Sequence, residues 1–360
     1  MKEAIYDFGA SFGLNLPVAI QIQGFEHDLT SENPLDKYLA GRVPAIDPTY
    51  VFRNDMLRDI NIWWSKAKGP MLFYGPTGSG KSTFLLQFCA RLGIPVWRIT
   101  GHARLESVEI FGHFINGENG KTVFMDGPAT EAAKYGGMLI IDEADRTDPS
   151  MFVGNNGLLE TGPFTLAGKG CELVHRHKSF RIALTANSNM AGDNTGGNYL
   201  TAMIHDKSVT ERIEMAIEVG YMADEEKGLV AKILDCVDDK KLKYWFDQEG
   251  LTVSINNAPK KGDQITRDDF VESIIKLRDM IRKQSRDCGN TSDDAIERTM
   301  STRTLLRFAE FCVHFQGAHR TGNSAVHYAL ERALTNTCTP STKIAIHSMA
   351  KAVFGVDQKL

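Results

Sequence analysis

From residue 71 the chain alternates short, wholly apolar runs with stretches whose apolar residues recur every three or four positions. Runs at 71–74, 96–99, 138–141, 181–186 and 215–219 predict strands. Strands alternating with helical patterns from about Arg42 to Tyr221 predict an α/β domain with a mostly parallel, five-stranded sheet. Beyond Asp224 the pattern turns helical, with three-and-four spacing over 267–284, 301–315, 324–336 and 340–354. Residues 249–265 between them are expected as a loop or small hairpin. Residues 1–42 are polar and without a strong period, which predicts an N-terminal arm or accessory segment. Two prolines at 44 and 48 make "VPAIDPTYVF" an extended lead-in. The expected division is therefore 1–42, 43–222 and a helical lid over 223–360.

The first predicted strand runs straight into "GPTGSGKST", and a helical pattern follows. Strand, glycine loop and helix form the setting in which G-x-x-x-x-G-K-S binds a nucleoside triphosphate. Gly75, Gly78 and Gly80 let the backbone, with Pro76, Thr77 and Ser79, curl its N–H groups toward phosphate oxygens. The helix start around Thr83 adds its partial positive charge there. Lys81 can reach the β- and γ-phosphates, and the Ser82 hydroxyl can enter a Mg²⁺ shell. ATP and Mg²⁺ are the expected ligands.

Three further segments supply chemistry in a fixed order. "MLIIDEADRTDP" ends an apolar strand in Asp142, a candidate for holding Mg²⁺ through water, and Glu143, a candidate for polarising the attacking water. "FRIALTANSN" ends in Asn187; such a residue is usually a turn former, but its place after the Asp-Glu strand makes it a candidate for orienting that water. Arg212, just before the fifth strand, is a candidate cation for a neighbour's γ-phosphate, and Arg303 opens a lid helix from which it can reach phosphates in its own chain.

Composition narrows the partners. A formal charge of −4 gives no overall electrostatic case for nucleic acid. A local basic run, Lys276, Arg278, Arg282, Lys283 and Arg286, shares its helix with Asp279 and is expected as a solvated face. No apolar run approaches the length of a membrane span and the N-terminus lacks a signal-peptide core, so a cytoplasmic protein is expected. Six cysteines without a C-x-x-C pair predict reduced thiols. His175-Arg176-His177 offers too few ligands for zinc, and a solvated hairpin is the favoured reading.

The ordered set of phosphate loop, Asp-Glu strand, Asn strand, Arg before the last strand and S-x-R before a helix resembles an AAA+ ATPase. Residues 156–187 resemble the pre-sensor β-hairpin of the MoxR branch, and 109–143 its helix-2 insert with the following G-P helix. Within that branch the likeness runs to the CobS family, ATPase subunits of aerobic cobaltochelatase, carried by "VPAIDPTYVF", by residues 185–222 and by "MSTRTLLRFAEF". It implies an α/β P-loop core with a helical lid and the roles Walker A (Lys81, Ser82), Walker B (Asp142, Glu143), sensor 1 (Asn187), arginine finger (Arg212) and sensor 2 (Arg303). It also implies a hexameric ring acting on a von Willebrand A-type partner protein. The loop departs from the family's usual G-Y-H-G-T-G-K-S, residues 236–265 look inserted, and Phe308 stands where the family has Trp. Two other readings stay open: a MoxR-type motor of a phage or mobile element or one directed to nucleic acid, and a binding module that has lost hydrolysis. If a partner is sensed, the hairpin at 162–180 is the expected place, through Phe164, Lys169 and a His175-Arg176-His177 tip.

Overall fold

A computed structural model describes all residues except 29, 118–119, 193–198, 200, 222–224, 236–251, 255–263, 289, 291, 293–294, 316–323, 356–357 and 359–360. It divides into two compact units: Met1–Gly75 with Lys81–Asn194 and Tyr199–Val219, and Gly220–Leu360 with the loop tip Pro76–Gly80.

In the first unit, β1 (Lys2–Asp7), α1 (Phe8–Phe12) and β2 (Gln21–Glu26) are followed by α2 (Pro34–Gly41) and α3 (Asn54–Lys66). Then come β3 (Met71–Tyr74), α4 (Lys81–Arg91), β4 (Val96–Thr100) and α5 (Ser107–Phe111). A hairpin of β5 (Gly112–Asn116) and β6 (Thr122–Asp126) precedes α6 (Pro128–Tyr135) and β7 (Gly137–Asp142). Next are α7 (Pro149–Gly154), α8 (Asn156–Leu159), a second hairpin of β8 (Phe164–Leu166) and β9 (Glu172–Val174), β10 (Phe180–Ala186), α9 (Lys207–Thr210) and β11 (Met215–Glu218). The main sheet has the order β11-β3-β10-β7-β4, and every neighbouring pair is parallel. All five expected strands are present. β7 and β10 are buried along their whole length, which is why they read as unbroken apolar runs rather than alternating ones.

Alternation survives between the two faces of the sheet. Met71, Phe73, Met138 and Ile140 pack with Trp63, Phe84 and Phe88 on one side. Leu72, Leu139 and Ile141 pack with Trp97, Ala132 and Phe152 on the other. The N-terminal residues join the first of these layers: Phe8, Phe12, Ile22 and Phe25 are buried in it, and the Trp64 indole donates to the Gln23 carbonyl at 2.8 Å. The segment expected as an arm or accessory piece thus carries part of the core of this unit.

The second unit contains α10 (Glu226–Asp235), β12 (Thr252–Ser254), β13 (Gln264–Thr266), α11 (Arg267–Gln284), α12 (Thr302–His314), α13 (Ala325–Ala333) and α14 (Pro340–Phe354). The four periodic segments become α11 to α14, with Ser301 capping α12 and Pro340 opening α14. Their apolar stripes meet in one core that includes Ile274, Leu277, Leu305, Phe308, Leu330 and Ile346. β12 and β13 pair antiparallel, the small hairpin expected at 249–265; the rest of the insertion expected near 236–265 lies outside the described residues. One expectation fails here. Lys276, Lys283 and Arg286 are exposed, but Arg278 and Arg282 are 3% and 9% exposed, because both pair with Glu226, itself fully buried. Among the described residues no helix is long and apolar enough to cross a membrane.

His327 and His347 face one another inside this core, Nδ1 to Nδ1 at 2.7 Å, with Thr335 Oγ1 at 3.0 Å from His347 Nε2. Burial first, and the His327 ring second, push His347 down to about 4. As the pH falls, an unfolded chain takes up this proton before the folded one does. The contribution to stability is therefore complete above about pH 6.5 and lost toward pH 4. Denaturation midpoints measured from pH 7 to pH 4 should fall, and fall less steeply in His347→Asn. An equal slope in the two proteins would exclude this pair as a source of acid sensitivity.

Candidate active site

The carboxyl ends of β3, β10 and β7 lead into the phosphate loop, Asn187 and Asp142-Glu143, the edge at which parallel α/β sheets bind ligands. After Tyr74 the chain turns at Gly75, whose N–H donates to the Ala186 carbonyl at 3.2 Å. Its φ is 140°, and a Cβ there would lie 2.4 Å from the Val219 carbonyl oxygen, so only glycine fits. Gly78 and Gly80 also have positive φ, 74° and 94°. The side of Gly80 where a Cβ would stand is open, leaving the backbone approachable. In the same tip Ser79 Oγ is buried without a hydrogen-bond partner, a polar atom still to be satisfied. Pro76 and Gly78 are half-buried, Thr77 is exposed, and Thr83 is exposed in the first turn of α4.

Lys81 opens α4, and its side chain turns back beside the strand ends. It is 7% exposed, donates to the Gly75 carbonyl at 2.7 Å and lies 3.4 Å from Asn187 Oδ1. Because β10 lies between β3 and β7, Asn187 stands between the lysine and the acidic pair. Asp142 is 3% exposed. Its Oδ1 accepts from Ser82 Oγ at 2.6 Å and from Thr185 Oγ1 at 2.8 Å, and its Oδ2 is paired with Arg98. The Ser82 hydroxyl and Asp142 carboxylate are hard oxygens of the kind Mg²⁺ takes, with substrate oxygens and water as its usual remaining ligands. Among the described residues no group of three or more His, Cys, Asp or Glu could hold a metal ion unaided.

Glu143 adopts a left-handed backbone, φ 54° and ψ 40°, which costs a non-glycine residue about 1–3 kcal/mol and is typical of functional sites. Its N–H donates to Thr185 Oγ1 at 3.2 Å, and Arg146 Nη1 lies 2.8 Å from its Oε2. Asp145, 1% exposed, accepts from the backbone N–H groups of Asn187 and Ser188 at 3.0 and 2.9 Å, fixing the end of β10. Thr185, Arg98, Asp145 and Arg146 were not picked out from sequence. Asp145 and Arg146 sit inside the quoted D-E-A-D-R, but Thr185 and Arg98 reach Asp142 only through strand register.

Of the two candidate cations, Arg212 belongs to the same unit as Lys81 and Asp142, and Arg303 belongs to the other. Arg212, in the first unit, pairs with Glu160 at 3.0 Å and donates to the Ser208 carbonyl. Glu160 is about half exposed, so this pair holds Arg212 by only about 0–1 kcal/mol and releases it readily. Arg303, in the second unit, is exposed in the first turn of α12, its Cβ 3.8 Å from where a Gly78 Cβ would stand.

Residues 70–207 match the family described as AAA domain (dynein-related subfamily). That stretch is thus an AAA domain of the dynein-related, MoxR-like kind. Residues 264–353 match the CbbQ/NirQ/NorQ C-terminal family. Aerobic cobaltochelatase subunit CobS of Sinorhizobium sp is 24% identical over 321 residues, 88% of this chain and 84% of that one. Protein CbbQ of Hydrogenophilus thermoluteolus is 29% identical over 48% of this chain and 62% of its own. Protein NorQ of Paracoccus denitrificans (strain Pd 1222) is 38% identical over 21% of this chain and 27% of its own. An AAA domain binds ATP, and the phosphate loop of this one has the open glycine and unsatisfied serine that such a ligand needs.

Thr185 tests the geometry without touching the phosphate loop. Thr185→Val keeps the shape and removes the hydrogen bonds to Asp142 and to the Glu143 amide. ATP turnover should drop about 10- to 100-fold, the worth of a hydrogen bond to a charged group, while ATP affinity stays within about threefold. Unchanged turnover would mean that Asp142 and Glu143 are held by other contacts.

Proposed function

We propose that this chain is a Mg²⁺-dependent ATP hydrolase that works as a closed ring of six and spends the energy remodelling a partner protein. The observation that carries the hydrolytic part is the meeting of Lys81, Asn187, Ser82 and Asp142 at adjacent strand ends, with Glu143 beside them. In this reading the loop N–H groups and the Lys81 amine bind the phosphates. Ser82 and Asp142 would hold Mg²⁺, which supplies charge neutralisation on the phosphate oxygens. Glu143 takes the proton of the attacking water, and Asn187 orients that water. Arg303 stabilises charge on the phosphates from the same chain. Arg212 serves a neighbour's site, which makes one subunit incomplete and a closed ring the consequence.

The partner-directed part is supported by the likeness to CobS over most of both chains and by the surface of the two hairpins. Phe114, Ile115, Val123 and Met125 on β5–β6 are all exposed, as is Leu173 on β9. The hairpin at 162–180 differs from expectation in its details. Its tip is Ala167–Lys169 with Gly170 and Cys171, whereas His175-Arg176-His177 lies beyond β9. Phe164 is 4% exposed, and Arg176 is tied to the Gly157 and Leu158 carbonyls at 2.6 and 2.9 Å. A partner would therefore meet the tip and the neighbouring β5–β6 hairpin rather than Phe164 or Arg176. A von Willebrand A-type protein in the cytoplasm, and metal insertion of the cobaltochelatase kind, are the specific form of the proposal. Nucleic-acid direction is disfavoured by the −4 charge.

Mixing tests the ring and the chemistry together. Glu143→Gln should bind ATP and fail to hydrolyse it, while Lys81→Ala should fail to bind. Arg212→Ala and Lys81→Ala chains, each inactive alone, should regain part of the activity when mixed, because one type of junction combines an intact Lys81 with an intact Arg212. No rescue in mixed rings would place Arg212 in its own chain's site. Severalfold stimulation by DNA or RNA at physiological salt would replace the protein partner with nucleic acid.

A further inference from the structure

The basic run on α11 contains two arginines that are not at the surface, and what they hold leads back to the phosphate loop. Glu226 at the start of α10 is fully buried. Arg282 grips it as a fork, Nη1 to Oε2 at 2.9 Å and Nη2 to Oε1 at 2.7 Å, and Arg278 Nη1 adds a third bond at 2.8 Å. Arg278 also reaches out to the exposed Asp279 at 2.6 Å, so two cations face two anions. Thr302, the first residue of α12, donates its hydroxyl to Glu226. A buried ion cluster is a poor way to gain stability, since apolar residues of equal size often do as well or better. Its value lies in geometry: the guanidinium forks fix direction where methyl groups would not.

Arg282 connects that geometry to the loop tip, Pro76–Gly80, which belongs to the same compact unit. Its Nε donates to the Met300 carbonyl at 2.9 Å, just before the Ser301 cap of α12. Its guanidinium carbon lies 4.1 Å from the centre of the Tyr221 ring, a cation–π contact. The Tyr221 hydroxyl in turn donates to the Thr77 carbonyl at 3.2 Å. The peptide bond is planar and trans, so a Thr77 carbonyl held toward Tyr221 points the Gly78 N–H the opposite way. Ser301 also stands so close that a Cβ on Gly78 would meet its side chain at 2.7 Å. One connected set of contacts, with Glu226 at its centre, thus fixes both the carbonyl and the close neighbour of the tip.

We propose that Tyr221, Arg282 and Glu226 are positioning residues for ATP binding: without touching the nucleotide, they set the Thr77–Gly78 peptide and the start of α12, and so determine ATP affinity. This rests on the reading of the loop as an ATP site. Tyr221→Phe is the decisive variant, because it keeps the ring that Arg282 covers and removes only the hydroxyl. In the full-length protein, titration with ATP and with a non-hydrolysable analogue should show affinity weakened about 5- to 10-fold, the worth of one neutral hydrogen bond. KM should rise by the same factor, kcat should stay within about twofold, and the thermal midpoint should stay near wild type. Arg282→Lys, which keeps the charge and loses the fork, should weaken affinity in the same direction, and Tyr221→Phe added to it should cost less than it does alone. Unchanged ATP affinity in Tyr221→Phe, or a fall in kcat at constant KM, would overturn the proposal. A wild-type chain that bound no ATP would instead overturn the nucleotide reading beneath it.

Discussion

The first unit is organised around one buried negative charge. Asp142 ends a strand with no exposed residue and is itself 3% exposed, so its carboxylate must be compensated by groups brought to it. Ser82 arrives from the first turn of α4, Thr185 from the neighbouring β10 and Arg98 from β4 on the other flank. Each sits on a different element, and the parallel register that aligns β4 and β10 with β7 is what makes the three converge. In the proposed reaction the same carboxylate would hold Mg²⁺ together with Ser82. The demand for charge compensation and the proposed phosphoryl transfer would then fall on the same side chain.

Much of this was legible because the chemistry and the local structure agree. The glycine loop lies between an apolar run and a helical pattern, and Asp142-Glu143 and Asn187 each end an apolar run; strand, helix and motif can all be read from neighbouring residues. Contacts across the sheet were not legible. Thr185 and Arg98 carry no motif of their own, and only the register of the sheet sets both beside Asp142. Arg278 and Arg282 were misread for a related reason. A helix with charges on many sides looks solvated, and their partner Glu226 lies 52 and 56 positions upstream, beyond any local pattern. The first 42 residues misled because their burial is carried by five apolar side chains, Phe8, Phe12, Ile22, Phe25 and Leu39, too few and too scattered to set a period.

The two hairpins show the same limit at the surface. The resemblance to a pre-sensor hairpin led to a hairpin being expected over 162–180, but it could not say that the turn lies at 167–171 rather than at the histidines. Nor could it show that β5–β6 presents Phe114, Ile115, Val123 and Met125 to solvent. Lys169 lies 5.2 Å from the Phe124 ring, so the two hairpins form a joined surface within the first unit. That surface exposes Phe114, Ile115, Val123, Met125 and Leu173, and it is separate from the residues that surround Asp142.

The central claim is that Asp142 organises both the fold around the loop and the metal-dependent step. Its most direct measurement is ATP binding and single-turnover hydrolysis by Asp142→Asn, with and without Mg²⁺. The account predicts near wild-type ATP affinity without Mg²⁺, loss of the gain that Mg²⁺ gives, and hydrolysis slower by at least about 100-fold, as expected when a preorganised charge for phosphoryl transfer is removed. Hydrolysis within about twofold of wild type, with Mg²⁺ still tightening binding, would contradict it.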